Sequence, residues 1–342
     1  MNRIPTLDGW RGIAILLVLF DHTQRALMGR YLEPWSATGQ HGVTVFFVLS
    51  GFLITTKLLE GPTDLKKFYV RRFFRLLPAA WAYLAVIWLL GLLCGQNWFS
   101  SREIASCLLF YRNFIVSGPQ SFFTTHYWSL SVEEQFYIAW PSLLLLAGIR
   151  KARWLAAGGA IACALYRHFN WNYYDHMGFS FETQVRADAL LIGCLMALWF
   201  SAPANRAAAV KWSTYCAAPA LAVLLYCIAF FQWLPPLAES VAIAMLIAAS
   251  VFHPGSFLAR PLSWRPLAWL GTVSYSLYVW QQFFFAERSH SVTIGMICVM
   301  PLFALGSYYL IERPATRLGH RLTTRKVRTT PVSNPQAVFT EA

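Results

Sequence analysis

Leu7-Asp8-Gly9-Trp10-Arg11-Gly12-Ile13-Ala14-Ile15-Leu16-Leu17-Val18-Leu19-Phe20-Asp21-His22 opens the first apolar run of this chain and carries an arginine and a histidine inside it. Ionisable side chains within a membrane span are costly, and by default they point to function. Eleven residues at roughly 100° each return to within about 20° of the starting direction, so Arg11 and His22 share one helix face. At about 1.5 Å per residue they stand roughly 16 Å apart along the axis. That reach suits a ligand with an anionic end at one membrane face and a reactive end deep inside.

The rest of the chain supports a membrane reading. Of 342 residues, 57% are hydrophobic and only 13% charged, against about 25% charged in an ordinary soluble domain. Apolar runs long enough to cross a bilayer fall near 10–27, 42–59, 78–96, 131–149, 153–169, 187–203, 212–232, 237–253, 267–286 and 292–311. The expected fold is an all-α integral membrane protein, a bundle of about ten transmembrane helices. Residues 1–314 form the membrane domain, and 315–342 a disordered cytoplasmic tail. The stretch 57–77, with Phe68, Tyr69, Phe73, Phe74 and Leu76 among Lys and Arg, reads as an amphipathic helix at the interface. The apolar piece from Ile104 to Tyr111 is too short to span.

The net charge of +13 is a topology signal, which sets nucleic acid aside as a partner. One side holds Arg3, Arg11, the cluster Lys57 to Arg75, Arg150-Lys151-Arg153, Arg206, Lys211, Arg260, Arg265 and the tail from Arg313 to Arg328. The other holds Arg25, Arg30, Arg102, Arg112, Arg167, Arg186 and Arg288. Positive loops stay cytoplasmic, so both termini are expected inside. The seven cysteines are scattered, with no CxxC and no Cys/His ladder, and neither a disulfide framework nor a metal site is expected. Because it carries Arg11 and Asp21-His22, the first span does not read as a cleavable signal peptide.

Several residues are candidates for chemistry. His22 falls in the outer half of the first span, where a neutral imidazole can take a proton from a hydroxyl attacking a carbonyl. Arg72 and Arg75, three apart, are helix neighbours able to grip one phosphate together, with Arg71 and Arg11 nearby. In His126-Tyr127-Trp128-Ser129-Leu130-Ser131-Val132-Glu133-Glu134, Ser131 and Glu134 read as a capping box. Glu133 has no such role and enters the membrane at the depth expected for His22, to orient an acceptor hydroxyl or the imidazole. Arg186 and Asp188 open the sixth span and do not face each other, so each pairs with another helix or binds substrate. Ser50-Gly51 reads as close helix packing. His126 reads as an interfacial residue, and His41, His168, His176, His253, His290 and His320 as surface or interface residues.

Taken together these segments resemble the acyltransferase-3 family of integral membrane acyltransferases. Arg11 and His22 sit at the gap of its opening motif. Gly42 to Ile54 is similar to its second motif, Arg72-Phe73-Phe74-Arg75 to its cytoplasmic Arg-x-x-Arg element, and Trp128 to Tyr137 to its fourth-span motif. Arg186 to Gly193, Gly271 to Tyr278 and Ile311-Glu312-Arg313-Pro314 follow in order, so the likeness covers about 6–315. The resemblance implies a ten-helix bundle in the bacterial cytoplasmic (inner) membrane. It would take an acyl group, by expectation acetyl, from cytoplasmic acyl-CoA and deliver it to a hydroxyl of a cell-surface polysaccharide or glycolipid. It implies His22 as the catalytic histidine and Arg11, Arg72 and Arg75 as functional arginines. With these, the residue reading expects Glu133 as a second catalytic residue, Arg11, Arg72 and Arg75 as donor-binding residues, and Glu134, Arg186 and Asp188 as acceptor-binding residues. No metal is implied. Transfer would go directly or through an acyl-enzyme. The family usually shows a histidine after Tyr278-Val279-Trp280. Here Gln281 and Gln282 follow, and Gln cannot act as a base at neutral pH, though it can hydrogen bond. A transporter or flippase of a glycan or acyl donor, and an acyltransferase of a small lipophilic acceptor, are the alternatives.

Overall fold

The computed structural model describes residues 4–29, 38–61, 64–115, 121–170, 181–229, 236–286 and 290–324, and no strand occurs among them. Arg3, Arg30, His176, Arg288 and the tail from residue 325 onward lie outside the described residues. Helix α1 (Pro5–Met28) begins at a proline, whose missing N–H is harmless in a first turn. Next comes α2 (Thr38–Leu59). Helix α3 (Leu65–Leu93) is capped by Asp64, which accepts the Lys67 backbone N–H at 3.1 Å. The expected interfacial helix and the expected third span are here one 29-residue helix running through Pro78. A proline removes a single backbone hydrogen bond, and no second breaker stands within two turns of it.

Short α4 (Ser101–Leu108) carries a reciprocal Ser100–Glu103 capping box. The fourth and fifth expected spans form α5 (Tyr127–Phe169), two helical halves meeting at Gly148 with φ 70° and ψ 166°, a conformation open essentially to glycine alone. Then come α6 (Thr183–Phe200), α7 (Pro203–Ala229), α8 (Pro236–Phe252), α9 (Arg265–Phe284) and α10 (His290–Ser307). A π-helical turn, Tyr308–Glu312, leads into α11 (Arg313–Thr323). Five helical runs are long and apolar enough to cross a membrane: Thr38–Leu59, Leu65–Leu93, Thr183–Phe200, Pro203–Ala229 and Ser291–Thr323. The other expected spans also fall on helix, but α8 has only 17 residues, and α1 carries Asp8, Arg11, Asp21 and His22.

Helix α1 packs against α2 and α9, and α2 against α6. Two of these contacts are backbone to backbone. A Cβ on Gly271 would stand 1.8 Å from the Asp8 carbonyl oxygen, and one on Gly51 would stand 1.9 Å from that of Leu190. Only hydrogen fits there, so the axes approach as closely as small-residue packing allows. Outward faces carry Leu146, Trp154, Leu302 and Leu310, all strongly exposed. Such a surface suits lipid and is an aggregation liability in water.

The chain departs from the expected disordered tail at its near end. Residues 315–323 continue the helix, and α11 docks on the first half of α3. A Cβ on Gly319 would lie 2.8 Å from the Phe74 Cβ, and the Thr323 hydroxyl accepts Arg71 Nε–H at 2.7 Å.

Candidate functional site

Helices α1, α2, α3, α5, α9 and α11 enclose a cavity of about 960 Å³. Helix α2 lines it from Lys57 to Val43, fourteen residues and therefore about 21 Å along the axis. The end near Lys57 is basic. The end near Val43 is apolar and aromatic, with Phe46, Phe47, Leu130 and Tyr278. Eight Lys or Arg side chains line the whole against five Asp or Glu.

Every one of those acids is already engaged. Asp8 takes Arg11 at 3.2 Å, Glu60 takes Lys57 at 2.8 Å and Asp64 takes Lys67 at 3.1 Å. Glu312 accepts the Ser276 hydroxyl at 2.7 Å. Glu133 accepts the Ser50 hydroxyl at 2.5 Å and the Tyr137 hydroxyl at 3.0 Å. Hydrogen bonds from the Lys57 side chain and the Lys67 backbone hold the Glu60 and Asp64 carboxyls below the usual range, so both stay charged at the mouth. Arg71, Arg72, Arg75, Arg313 and Arg317 line the cavity with no acid partner among the described residues. The Arg72 guanidinium lies 3.5 Å from the centre of the Tyr137 ring, and its buried Nε has no hydrogen-bond partner. This basic end can hold a multiply charged anion by bidentate contacts.

Beyond the aromatic end stands His22, which does not line the cavity. Its Nδ1 lies 2.9 Å from the Val18 carbonyl. A carbonyl can only accept, so Nδ1 carries the proton and the neutral ring presents its lone pair at Nε2. Gln282 faces the ring, and Phe285 packs against it at 5.9 Å between centroids. His126 lies within electrostatic reach of His22. It is buried among the rings of Tyr83, Tyr127 and Tyr278, with the Val279 backbone beside it. Tyr278, at the aromatic end of the cavity, stands one helical turn before Gln282; its hydroxyl lies 2.5 Å from that of Ser129 and donates to the His126 carbonyl at 3.2 Å.

The structure therefore brings Arg11, Arg72, Arg75 and Glu133 to one cavity and leaves His22, Glu134, Arg186 and Asp188 outside its lining. Glu133 faces Ser50 and Tyr137, beneath the Arg72 side chain, with no contact to the imidazole. Glu134 does not cap: its helix starts at Tyr127, one turn before Ser131, which donates instead to the Tyr127 carbonyl at 2.8 Å. Glu134 Oε1 is buried without a hydrogen-bond partner. Asp188 is held by Arg167 at 2.8 Å. Arg186 donates to Gln40 at 2.5 Å and lies 5.6 Å from the Trp128 ring centre. The space between them is only about 10 Å³.

Sequence reasoning missed four participants. His126 is buried, not interfacial, and His41 is likewise buried, 2.9 Å from Glu239. Ser50 serves the cavity while its neighbour Gly51 serves packing. The α11 side chains, with His320 among them, line the basic end; their spacing at 313, 317 and 320 was the available signal. All seven cysteines are unbridged.

The profile of a family described as an acyltransferase domain matches residues 4–311. A Bacillus subtilis (strain 168) protein, YrhL, provisionally named a peptidoglycan O-acetyltransferase, is 33% identical over 95% of this chain and 56% of its own length. The peptidoglycan O-acetyltransferase OatA of Listeria monocytogenes is 29% identical over 81% of this chain and 48% of its own. A Staphylococcus aureus (strain COL) protein, SACOL0978, provisionally named an O-acetyltransferase, is 30% identical over 93% and 58%. The chain thus spans about half the length of the curated relatives it matches. No solved structure gives a significant match.

Proposed function

The chain belongs to the acyltransferase-3 family, and from that premise we propose that it is a membrane O-acetyltransferase. It carries an acetyl group from cytoplasmic acetyl-CoA to a hydroxyl of a glycan on the far side of the bacterial inner membrane. Ten spans with both termini inside fit the alternation of basic loops. The acceptor class follows the names of the relatives, with peptidoglycan first among polysaccharides and glycolipids. The observation that carries the reading is a cavity of about 960 Å³ whose basic end holds five arginines with no acid partner among the described residues and whose aromatic end reaches Tyr278, one helical turn before Gln282, which faces His22. Five arginines, Glu133's hydroxyl partners and a 21 Å depth match a donor with phosphates at one end and a thioester at the other.

In this reading Arg72 and Arg75, with Arg11, hold phosphates of the donor, and the acyl arm extends toward Tyr278. Turning Phe46 and Tyr278 aside joins the cavity to His22. Nε2 of His22 takes the proton of the acceptor hydroxyl, whose oxygen forms the new ester bond to the acetyl carbon. The C–S bond breaks, and the departing thiolate takes the proton back from the His22 imidazolium, leaving free CoA thiol and a neutral ring. Glu133 orients the donor arm through Ser50 and Tyr137. Arg186 and Asp188, held by Gln40 and Arg167 with only about 10 Å³ beside them, tie helices together and take no part in binding the acceptor. Gln282 hydrogen bonds to the ring or the incoming hydroxyl and transfers no proton.

The test is release of free CoA from acetyl-CoA by purified protein in lipid, wild type beside His22→Ala, with peptidoglycan fragments and other glycans added. Glycan-dependent release that disappears in the variant is the expected result. Release that persists in His22→Ala overturns the role of the base, and absence of release from wild type with every glycan overturns the reaction.

A further inference from the structure

The cavity's basic end has two walls, and the family's Arg-x-x-Arg element accounts for one of them. Arg72 and Arg75 come from α3. The adjoining wall is α11, whose Arg313, Arg317 and His320 all line the same space. Offsets of four and seven residues put the three on one helix face. None is drawn into the core: all three are exposed on that face, while Gly319 and Thr323 on the adjacent face fix the helix to α3 through Phe74 and Arg71. His320 also lies within electrostatic reach of Arg71, Arg75 and Lys57. Two rows of cations on adjacent helices thus line one opening, and the mouth acids Glu60 and Asp64 are already taken by Lys57 and Lys67.

We propose that α11 is a second anion subsite, separate from the Arg72–Arg75 pair, and that Arg317 and His320 bind the phosphate on the ribose end of a coenzyme A donor. This rests on the donor reading above. The chemistry sorts the subsites. A coenzyme A molecule carries a diphosphate next to its acyl-bearing arm and a further phosphate on the ribose, beyond the diphosphate. The arginines on the membrane-spanning helix sit nearer the aromatic end and take the diphosphate. The amphipathic helix outside them takes the outermost charge. Arg317 supplies a planar fork for two phosphate oxygens, and His320 supplies an N–H. Like-charge crowding of these side chains is relieved when the anion arrives, so the wall binds more firmly once loaded.

The experiment measures binding by calorimetry with full-length protein in nanodiscs of zwitterionic lipid, using three probes: CoA, 3′-dephospho-CoA and pantetheine. Wild type is expected to bind CoA most tightly and pantetheine least. The double variant Arg317→Ala/His320→Ala is expected to lose about tenfold for CoA, to bind dephospho-CoA as wild type does, and to bind pantetheine unchanged, which also shows that it is folded. Arg72→Ala is expected to weaken CoA and dephospho-CoA alike. An α11 variant that keeps wild-type discrimination between CoA and dephospho-CoA overturns the subsite while leaving the donor reading intact. Wild type that binds no CoA overturns both. A defect seen only when the nanodiscs contain anionic lipid assigns α11 to headgroups and overturns the proposal.

Discussion

Arg72 and Arg186 are the same side chain on two helices of one bundle, in opposite surroundings. Arg186 donates to Gln40, lies over Trp128, and has about 10 Å³ of free space beside it, room for about one water. Nearby, Arg167 and Asp188 neutralise each other at 2.8 Å. Arg72 has a buried Nε with no hydrogen-bond partner and no ion pair among the described residues, and about 960 Å³ in front of it. A paired charge without room ties helices together. An unpaired charge with room is kept for something that enters. The difference cannot be read from the residue type, because both are arginines near a span's end.

The largest effect expected around this contrast is on His22, which belongs to neither arrangement and lies outside the cavity lining. His22→Ala should lower glycan-dependent acetyl transfer by about 10²–10⁴-fold while CoA binding is retained; a loss of both would move His22 into the donor cavity. Next comes the tied cluster. Arg167→Ala removes the ion-pair partner of the buried Asp188 and should cost about 3–5 kcal/mol of stability, seen as a lower unfolding temperature in detergent. Removing both partners should restore part of it. Arg72→Ala should do the reverse: the unfolding temperature is kept and the dissociation constant for CoA rises by about tenfold. If Arg72→Ala unfolds the protein as Arg167→Ala does, the contrast is broken. Arg72→Lys should recover only part of the affinity, since an ammonium lacks the fork.

The smallest effect belongs to the mouth. Glu60 is held below its usual pKa by Lys57, so the pair's contribution is complete above the ordinary glutamate pKa and is lost as pH falls through the lowered value. At neutral pH, Glu60→Gln should leave the unfolding temperature unchanged, as for most surface pairs. A clear drop would mean that the mouth bears on the fold.

The helices were legible because a bilayer demands long apolar runs and the chain writes them plainly. Arg72 and Arg75 were legible because three-residue spacing on a helix is a local property. Glu134 misled for the same reason. The Ser131–Glu134 pattern is a good local cap, yet packing starts the helix a turn earlier, at Tyr127. His126 looked interfacial because it borders a span. Its burial depends on Tyr83 and Tyr278, which arrive from helices 43 and 152 residues away, beyond the reach of any periodicity. The α11 wall was hidden by composition: a polar, basic end resembles a tail until Phe74 is seen beneath Gly319.

The contact between Gly271 and the Asp8 carbonyl sets a scale as well as a distance. Helix α1 bears Arg11 and His22, and α9 bears Tyr278 and Gln282. Pressed together without side chains between them, the two helices behave like the sliding halves of a vernier locked by its screw. Slippage by a single residue would shift one set of marks against the other by about 1.5 Å, roughly one carbon of an acyl chain. A methyl group at Gly271 loosens the screw. In the proposed reaction the Gly271→Ala protein should therefore measure its donors badly, accepting acyl chains of neighbouring lengths that the locked instrument tells apart.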